Sequence, residues 1–134
     1  FGLTPEQFRD WVAPYDIQVL AAAPSLVRIA HLHGEEADPE LIADYPVEVL
    51  SWSDKASAPT IPEAASHYGW VPMVGIDELT SLYWTPSEAV AHVIQARRAA
   101  GDRLIVAPNC TLHSDINPLT LVGLRRGVDV ALTY

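Results

Sequence analysis

Two histidines and the only cysteine of this chain are the residues whose types and spacing point most directly to chemistry. His31 and His33 stand two positions apart in "RIAHLHGEE", and Cys110 follows much later in "IVAPNCTLH". A catalytic zinc ion is held by three protein ligands, drawn from His nitrogen, Cys sulfur and carboxylate oxygen, and keeps one open position. A thiol or water bound there loses its proton near neutral pH and becomes a nucleophile. The set predicts such a site, with His113 as an alternative ligand and ordinary packing as the alternative role.

Strand geometry relates the three residues. Residues two apart on a strand face the same side, so His31 and His33 are predicted to share one face with their Cβ atoms roughly 6.5–7 Å apart. Cys110 has the same parity as Val106 and Pro108 in "RLIVAP". We therefore expect Cys110 to face the same ligand-binding opening, at the carboxyl ends of the strands, as the two histidines.

The elements that must position these residues alternate along the chain. Short apolar runs typical of buried strands are "LVRIAHLH", "VEVLSW", "VPMVGI" and "RLIVAP". Helices are predicted for "TPEQFRDWVAPYDIQVLAAA", "DPELIADYP", "TIPEAASHYG", "TPSEAVAHVIQARRAAG" and "NPLTLVGLRRG". Pro14 should kink or split the first helix, and the last helix should end at Gly127. The remaining "VDVALTY" is expected to be a strand remnant or a tail. Such alternation predicts an α/β fold with parallel βα units.

Polar residues crowd the ends of the predicted strands, where α/β folds bind ligands. Asp54 and Glu78 are the candidate catalytic or substrate-binding carboxylates, with loop capping and solvation as their alternative roles. Trp52 is a candidate for contact with a flat ligand, or a packing residue. His67 and His92 fall within predicted helices and are expected at the surface.

Composition excludes several classes of function. The chain has 134 residues, 49% of them hydrophobic, and a net charge of −9. Its negative charge argues against nucleic-acid and anionic-membrane surfaces, and its apolar runs are too short to span a bilayer. The lone cysteine and the opening "FGLTPEQF", which has no signal-peptide pattern, predict a cytoplasmic protein.

The number of βα units leaves two architectures open. Four or five units are about half of a TIM barrel, which needs roughly 250 residues. The chain is therefore expected to be either a flavodoxin-like open sheet or the C-terminal half of a barrel. Either sheet has open edges, which predicts a completing partner: another chain, an N-terminal half or a second copy.

The order of these segments resembles the C-terminal half of the uroporphyrinogen decarboxylase superfamily over nearly the whole chain. The similarity runs through "LTPEQFRDWVAPY", "HLHG", "LIADYPVEVLSWSD", "IPEAASHYGWVPMVGIDE" and "TPSEAVAHVIQARRAAGDRLIVAPNCTLHSDINPLTLVGLRR". It implies one partial TIM-barrel domain over residues 1–134, with its site at the strand C-termini. His31 and Cys110 match the first and last zinc ligands of the family's methyltransferases, and His33 stands where these usually carry a cysteine.

The superfamily implies two chemistries for a small-molecule substrate. Its methyltransferases use zinc to activate a thiol such as coenzyme M, with a corrinoid protein as a methyl donor. Its decarboxylases shorten the acetate side chains of a tetrapyrrole without metal. A third hypothesis for this chain is that it is a non-catalytic assembly module. The ligand set favours zinc-dependent thiol methyl transfer, with Asp54 and Glu78 near the metal or substrate.

Overall fold

The computed structural model of the protein describes residues 2–133 and shows an α/β fold. One sheet contains four parallel strands: β1 (Ile29–His31), β2 (Val49–Ser51), β3 (Val71–Ile76) and β4 (Ile105–Pro108). The α-helices are α1 (Pro5–Trp11), α2 (Ala13–Ala21), α3 (Ile61–Ser66), α4 (Pro86–Ala100) and α5 (Pro118–Ala131). Short 3₁₀ turns cover Pro39–Ile42 and Ser81–Tyr83. The predicted alternation of strands and helices is confirmed.

The strands follow one another across the sheet in the order β1-β2-β3-β4. A doubly wound sheet reverses its strand order at a switch point, and the four described strands contain no such reversal. An α-helix stands between β2 and β3 and between β3 and β4, and a 3₁₀ turn stands between β1 and β2, as the crossover connections of parallel neighbours require. This arrangement is compatible with half of a barrel.

Helix boundaries follow local signals. Thr60 Oγ1 accepts a hydrogen bond from the backbone N–H of Glu63, whose carboxylate accepts one from the Thr60 N–H. Thr85 and Glu88 form the same capping box at the start of α4. The first predicted helix is split into α1 and α2 just before Pro14, as expected.

One face of the sheet packs against the helices and forms the core. Leu50, Trp52 and Val74 are fully buried there, beside Ala64 of α3 and Ala96 of α4. Burial of one large aliphatic side chain contributes about 1.5–3 kcal/mol before the loss of conformational entropy. A second cluster joins α4 and α5 to the end of β3 and contains Ile76, Trp84, Ala89, Val93, Leu124 and Ala131.

The opposite face of the sheet is partly open. Ile29 of β1 and Ile105 of β4 lie on it and are 50% and 41% exposed. His31 lies on the same face, opposite Ser51 in the register of β1 and β2. The sheet therefore has a helix-covered side and a side that carries the candidate ligand His31.

The last helix is longer than predicted. Gly127 lies inside α5, which continues to Ala131, so a helix end at Gly127 and a strand remnant after it are both wrong within the described residues. A Cβ on Gly127 would stand 2.8 Å from the Val93 Cβ, and one on Gly123 would stand 2.5 Å from the Pro86 carbonyl oxygen. The glycines allow α5 to approach α4 closely.

None of the helices between residues 2 and 133 is long and apolar enough to cross a membrane.

Candidate metal centre and its surroundings

The structure brings His31, His33 and Cys110 together. One ligand atom from each lies within 4.8 Å of the others, although Cys110 follows His33 by 77 positions in the sequence. The Cys110 Sγ is 3.6 Å from the His33 Nδ1, and the two imidazole centroids are 6.0 Å apart. The group could hold a metal ion.

The separation of the Cys110 Sγ and the His33 Nδ1 matches the geometry of zinc. A tetrahedral site with a Zn–N bond of about 2.0–2.1 Å and a Zn–S bond of about 2.3 Å holds nitrogen and sulfur about 3.6 Å apart. His33 and Cys110 already show this separation. Both histidines are exposed and Cys110 is half-buried, so the group lies at an accessible surface.

The two segments that carry the ligands come from the outer strands of the sheet. Three strand spacings of about 4.8 Å place β1 and β4 roughly 14 Å apart. Contact between Cys110 and His33 therefore requires the segments after these strands to lean toward each other across the ends of β2 and β3. Parallel strands make this possible because all four carboxyl ends lie at one edge.

Cys110 reaches the site by a different route from the predicted one. The strand registers place Ile105 on the same face of the sheet as His31. Val106 and Pro108 therefore point to the opposite face, toward the helices. The prediction that Cys110 shares the face of His31 because it alternates with Val106 and Pro108 is wrong. Cys110 lies two residues beyond β4, in a turn where strand alternation no longer holds.

Asn109 fixes the start of that turn. Its backbone N–H donates to the Ile76 carbonyl at 2.9 Å, and its side-chain Oδ1 accepts from the Gly75 N–H at 3.2 Å. The side chain is fully buried. Asn109 therefore attaches the residue before Cys110 to β3 at two points.

Ser51 supports His31. Its Oγ is 3.2 Å from the His31 Nδ1, and the two residues are partners in the β1–β2 register. If Nδ1 carries the proton, the Nδ1–H donates a hydrogen bond to the Ser51 Oγ and Nε2 is left free to bind a metal, an arrangement typical of metal-bound histidines. Sequence reasoning missed this role, because nothing in the sequence gives the register of two strands.

Glu78 and Ser53 form a second pair at the same edge of the sheet. The Ser53 hydroxyl donates a short hydrogen bond to Glu78 Oε1, and both residues are at least partly buried. Glu78 also lines a cavity of about 400 Å³ together with His33 and Cys110. The structure thus places the predicted carboxylate Glu78 beside the candidate ligands.

Asp54 has a different environment. Its side chain is only 2% exposed, and its Oδ2 lies 2.8 Å from the Lys55 ammonium. The other carboxylate oxygen has no hydrogen-bond partner among the described residues. Asp54 does not cap α3, whose cap is Thr60. The cavity that contains His33 is not lined by Asp54.

Trp52 and Asp77 have structural roles. Trp52 is fully buried in the core, where its Nε1–H donates to the Pro59 carbonyl at 2.8 Å, so its ring offers a ligand no accessible surface. Asp77 accepts hydrogen bonds from the N–H groups of Leu79 and Thr80 and from the Thr80 hydroxyl. These bonds order the turn after β3 that carries Glu78.

The remaining histidines lie outside the ligand group. His113 Nδ1 accepts from the Asp115 N–H at 3.3 Å, and His67 is exposed at the end of α3. His92, expected at the surface, is half-buried and stacks on Trp84 with ring centroids 3.8 Å apart. Burial is the main cause that lowers the pKa of His92, with a further contribution from the Lys55 charge.

No protein-family model matches this chain, and no curated protein matches it significantly.

Proposed function

We propose that this chain is the C-terminal half of a TIM-barrel methyltransferase of the uroporphyrinogen decarboxylase superfamily, in which His31, His33 and Cys110 hold zinc. The observation that carries the proposal is the convergence of the three ligand atoms within 4.8 Å. Three protein ligands of this kind are the number that a catalytic zinc site uses. The reaction is transfer of a methyl group to the sulfur of a small-molecule thiol.

The residues around the ligands have distinct parts in this proposal. Ser51 orients His31, and Asn109 holds the turn that presents Cys110. The cavity beside His33 and Cys110 has room for a small thiol. Glu78 lines the same cavity, where it contacts the substrate.

Bound zinc supplies Lewis-acid chemistry that keeps a thiol deprotonated near neutral pH. The thiol proton leaves to solvent, and the thiolate sulfur attacks the methyl carbon of the donor. A sulfur–carbon bond forms while the bond between methyl and donor breaks, and its electron pair stays with the donor. The superfamily resemblance suggests a corrinoid protein as that donor.

The edges of the sheet support a completing partner. The backbone groups of Arg28 and Leu32 point to β2. The Val49 N–H donates a hydrogen bond to the Arg28 carbonyl, and the Leu32 N–H donates one to the Ser51 carbonyl. Successive residues of a strand point these groups to opposite sides. The N–H and C=O groups of Ile29 therefore face an edge with no neighbouring strand among residues 2–133.

The superfamily resemblance favours an N-terminal half of the barrel as this partner, with a second copy of the chain as the alternative.

The metal content of the purified protein tests the zinc site. We expect inductively coupled plasma mass spectrometry to find about one zinc per chain, and Cys110→Ser and His31→Ala to lose it. His113→Ala is the matched control and should retain zinc, because His113 lies outside the group of three ligands.

Circular dichroism of each variant separates loss of metal from loss of fold. Zinc retained by folded Cys110→Ser and His31→Ala would reject the site. No zinc in the wild type, alone and together with the N-terminal half, would leave metal-free decarboxylation or an assembly role as the function to test.

A further inference from the structure

The cavity beside the candidate metal ligands has one carboxylate, Glu78, in its lining, together with the imidazoles of His33 and His113. His33 and Cys110 line part of it, and Glu78, Leu79 and Leu112 line other parts. None of its lining residues is a lysine or arginine. Glu78 is the one carboxylate among these lining residues, so it determines which charge on a substrate the cavity favours.

None of the eight lysine and arginine residues of the chain lines this cavity, and three of them have partners elsewhere. The only lysine of the sequence, Lys55, pairs with Asp54 at 2.8 Å. Arg28 pairs with Glu48 at the amino end of the sheet, where β1 and β2 begin. Arg103 donates to the Gly69 carbonyl just before β4, also at the amino end.

Glu78 is held in place with capacity to bind a cation. The Ser53 hydroxyl donates to Oε1, and Oε2 has no hydrogen-bond partner among the residues described. A carboxylate oxygen accepts charge-assisted hydrogen bonds from an ammonium group, and such bonds are roughly twice as strong as neutral ones. An anionic substituent in the same cavity would meet Glu78 with no compensating lysine or arginine on its walls.

We infer that the thiol substrate of this site is an aminothiol, whose sulfur approaches the ligand group His31, His33 and Cys110 and whose ammonium group binds Glu78. This inference rests on the proposed metal site. It departs from sulfonate thiols such as coenzyme M, because no lysine or arginine lines the cavity to bind the sulfonate. Glu78 is then the residue that sets substrate specificity.

Three thiols with the same two-carbon spacer provide the test: 2-aminoethanethiol, 2-mercaptoethanol and 2-mercaptoethanesulfonate. Each is titrated into cobalt-substituted protein, and the thiolate-to-cobalt charge-transfer absorption gives its Kd. We expect the aminothiol to bind about tenfold more tightly than the neutral thiol, and the sulfonate to bind most weakly.

Variants separate recognition by Glu78 from differences in thiol acidity. Glu78→Gln should bind cobalt as the wild type does but lose the preference for the aminothiol, and Ser53→Ala should weaken that preference. Glu36→Gln is the matched control, since it removes the same charge three residues after His33 outside the cavity lining, and should keep the preference.

The outcomes distinguish this inference from the function on which it rests. Cobalt binding without a preference for the aminothiol, or a preference that survives in Glu78→Gln, overturns the aminothiol inference alone. Protein that binds neither zinc nor cobalt overturns the metal site and the aminothiol inference together.

Discussion

Replacement of Ser51 by alanine should weaken metal binding while leaving the three ligands in place. The Ser51 hydroxyl is the hydrogen-bond partner of His31 Nδ1, at 3.2 Å. Without it, the imidazole loses the contact that selects the Nε2 metal-binding tautomer and fixes the ring. The side chain is small and lies at the end of β2, so the fold should tolerate the change.

The expected loss is about tenfold in metal affinity. Removing a residue that orients a metal ligand typically lowers affinity 10–100-fold, and a neutral hydrogen bond contributes about 0.5–1.5 kcal/mol. The distance of 3.2 Å is at the long end of the normal range, which favours the lower figure. Ser51 is only 7% exposed, so water does not readily replace the lost hydroxyl.

Competition titration of zinc against a chromophoric chelator measures this loss. Ser53→Ala is the matched control. Ser53 has the same 7% exposure as Ser51, but its hydroxyl donates a hydrogen bond to Glu78 and not to a candidate metal ligand. We expect Ser53→Ala to keep the wild-type zinc affinity and Ser51→Thr, which retains a hydroxyl, to recover most of it. Equal affinities of Ser51→Ala and Ser53→Ala would refute the argument that Ser51 orients a ligand.

Further predictions concern stability. Hydrogen bonds from the Arg28 guanidinium and backbone N–H lower the pKa of Glu48 from 4.5 to about 2, so its stabilising contribution is complete above pH 4.5 and is lost as the pH falls toward 2. The difference in urea midpoint between wild type and Glu48→Gln should therefore shrink over that range, and a constant difference would show that the ion pair does not contribute. Gly123→Ala should destabilise by about 1–3 kcal/mol because its Cβ meets backbone atoms of Pro86. Thermal denaturation measures this, and Val122→Ala, on an exposed part of the same helix, should change little.

Much of the secondary structure could be predicted because its signals are local. The capping boxes at Thr60 and Thr85 each join residues three apart, so the sequence contains both partners within one turn. Gly127 shows the limit of such signals. A glycine in a helical segment predicts a helix end, but here its missing Cβ accommodates Val93 of a neighbouring helix.

The candidate ligands could be named from residue type alone. The reason why they come together in the fold could not be predicted from the sequence. Strand alternation correctly placed His31 on the same face of the sheet as Ile29, but the register of β4 gives Cys110 the opposite parity. The turn after β4, attached to β3 through Asn109, brings the sulfur to His33. Alternation describes strands only, and Cys110 lies beyond one.

The sequence by itself determined the α/β alternation, the parallel sheet and the set of metal-ligating residue types, because these follow from periodicity, capping signals and side-chain chemistry within short segments. Only the tertiary structure decided that Ser51 supports His31, that Glu78 shares a cavity with Cys110, and that Trp52 lies in the core. Each of these depends on how segments separated by many residues are placed against one another. That placement is set by strand register and helix packing, which no short stretch of sequence contains.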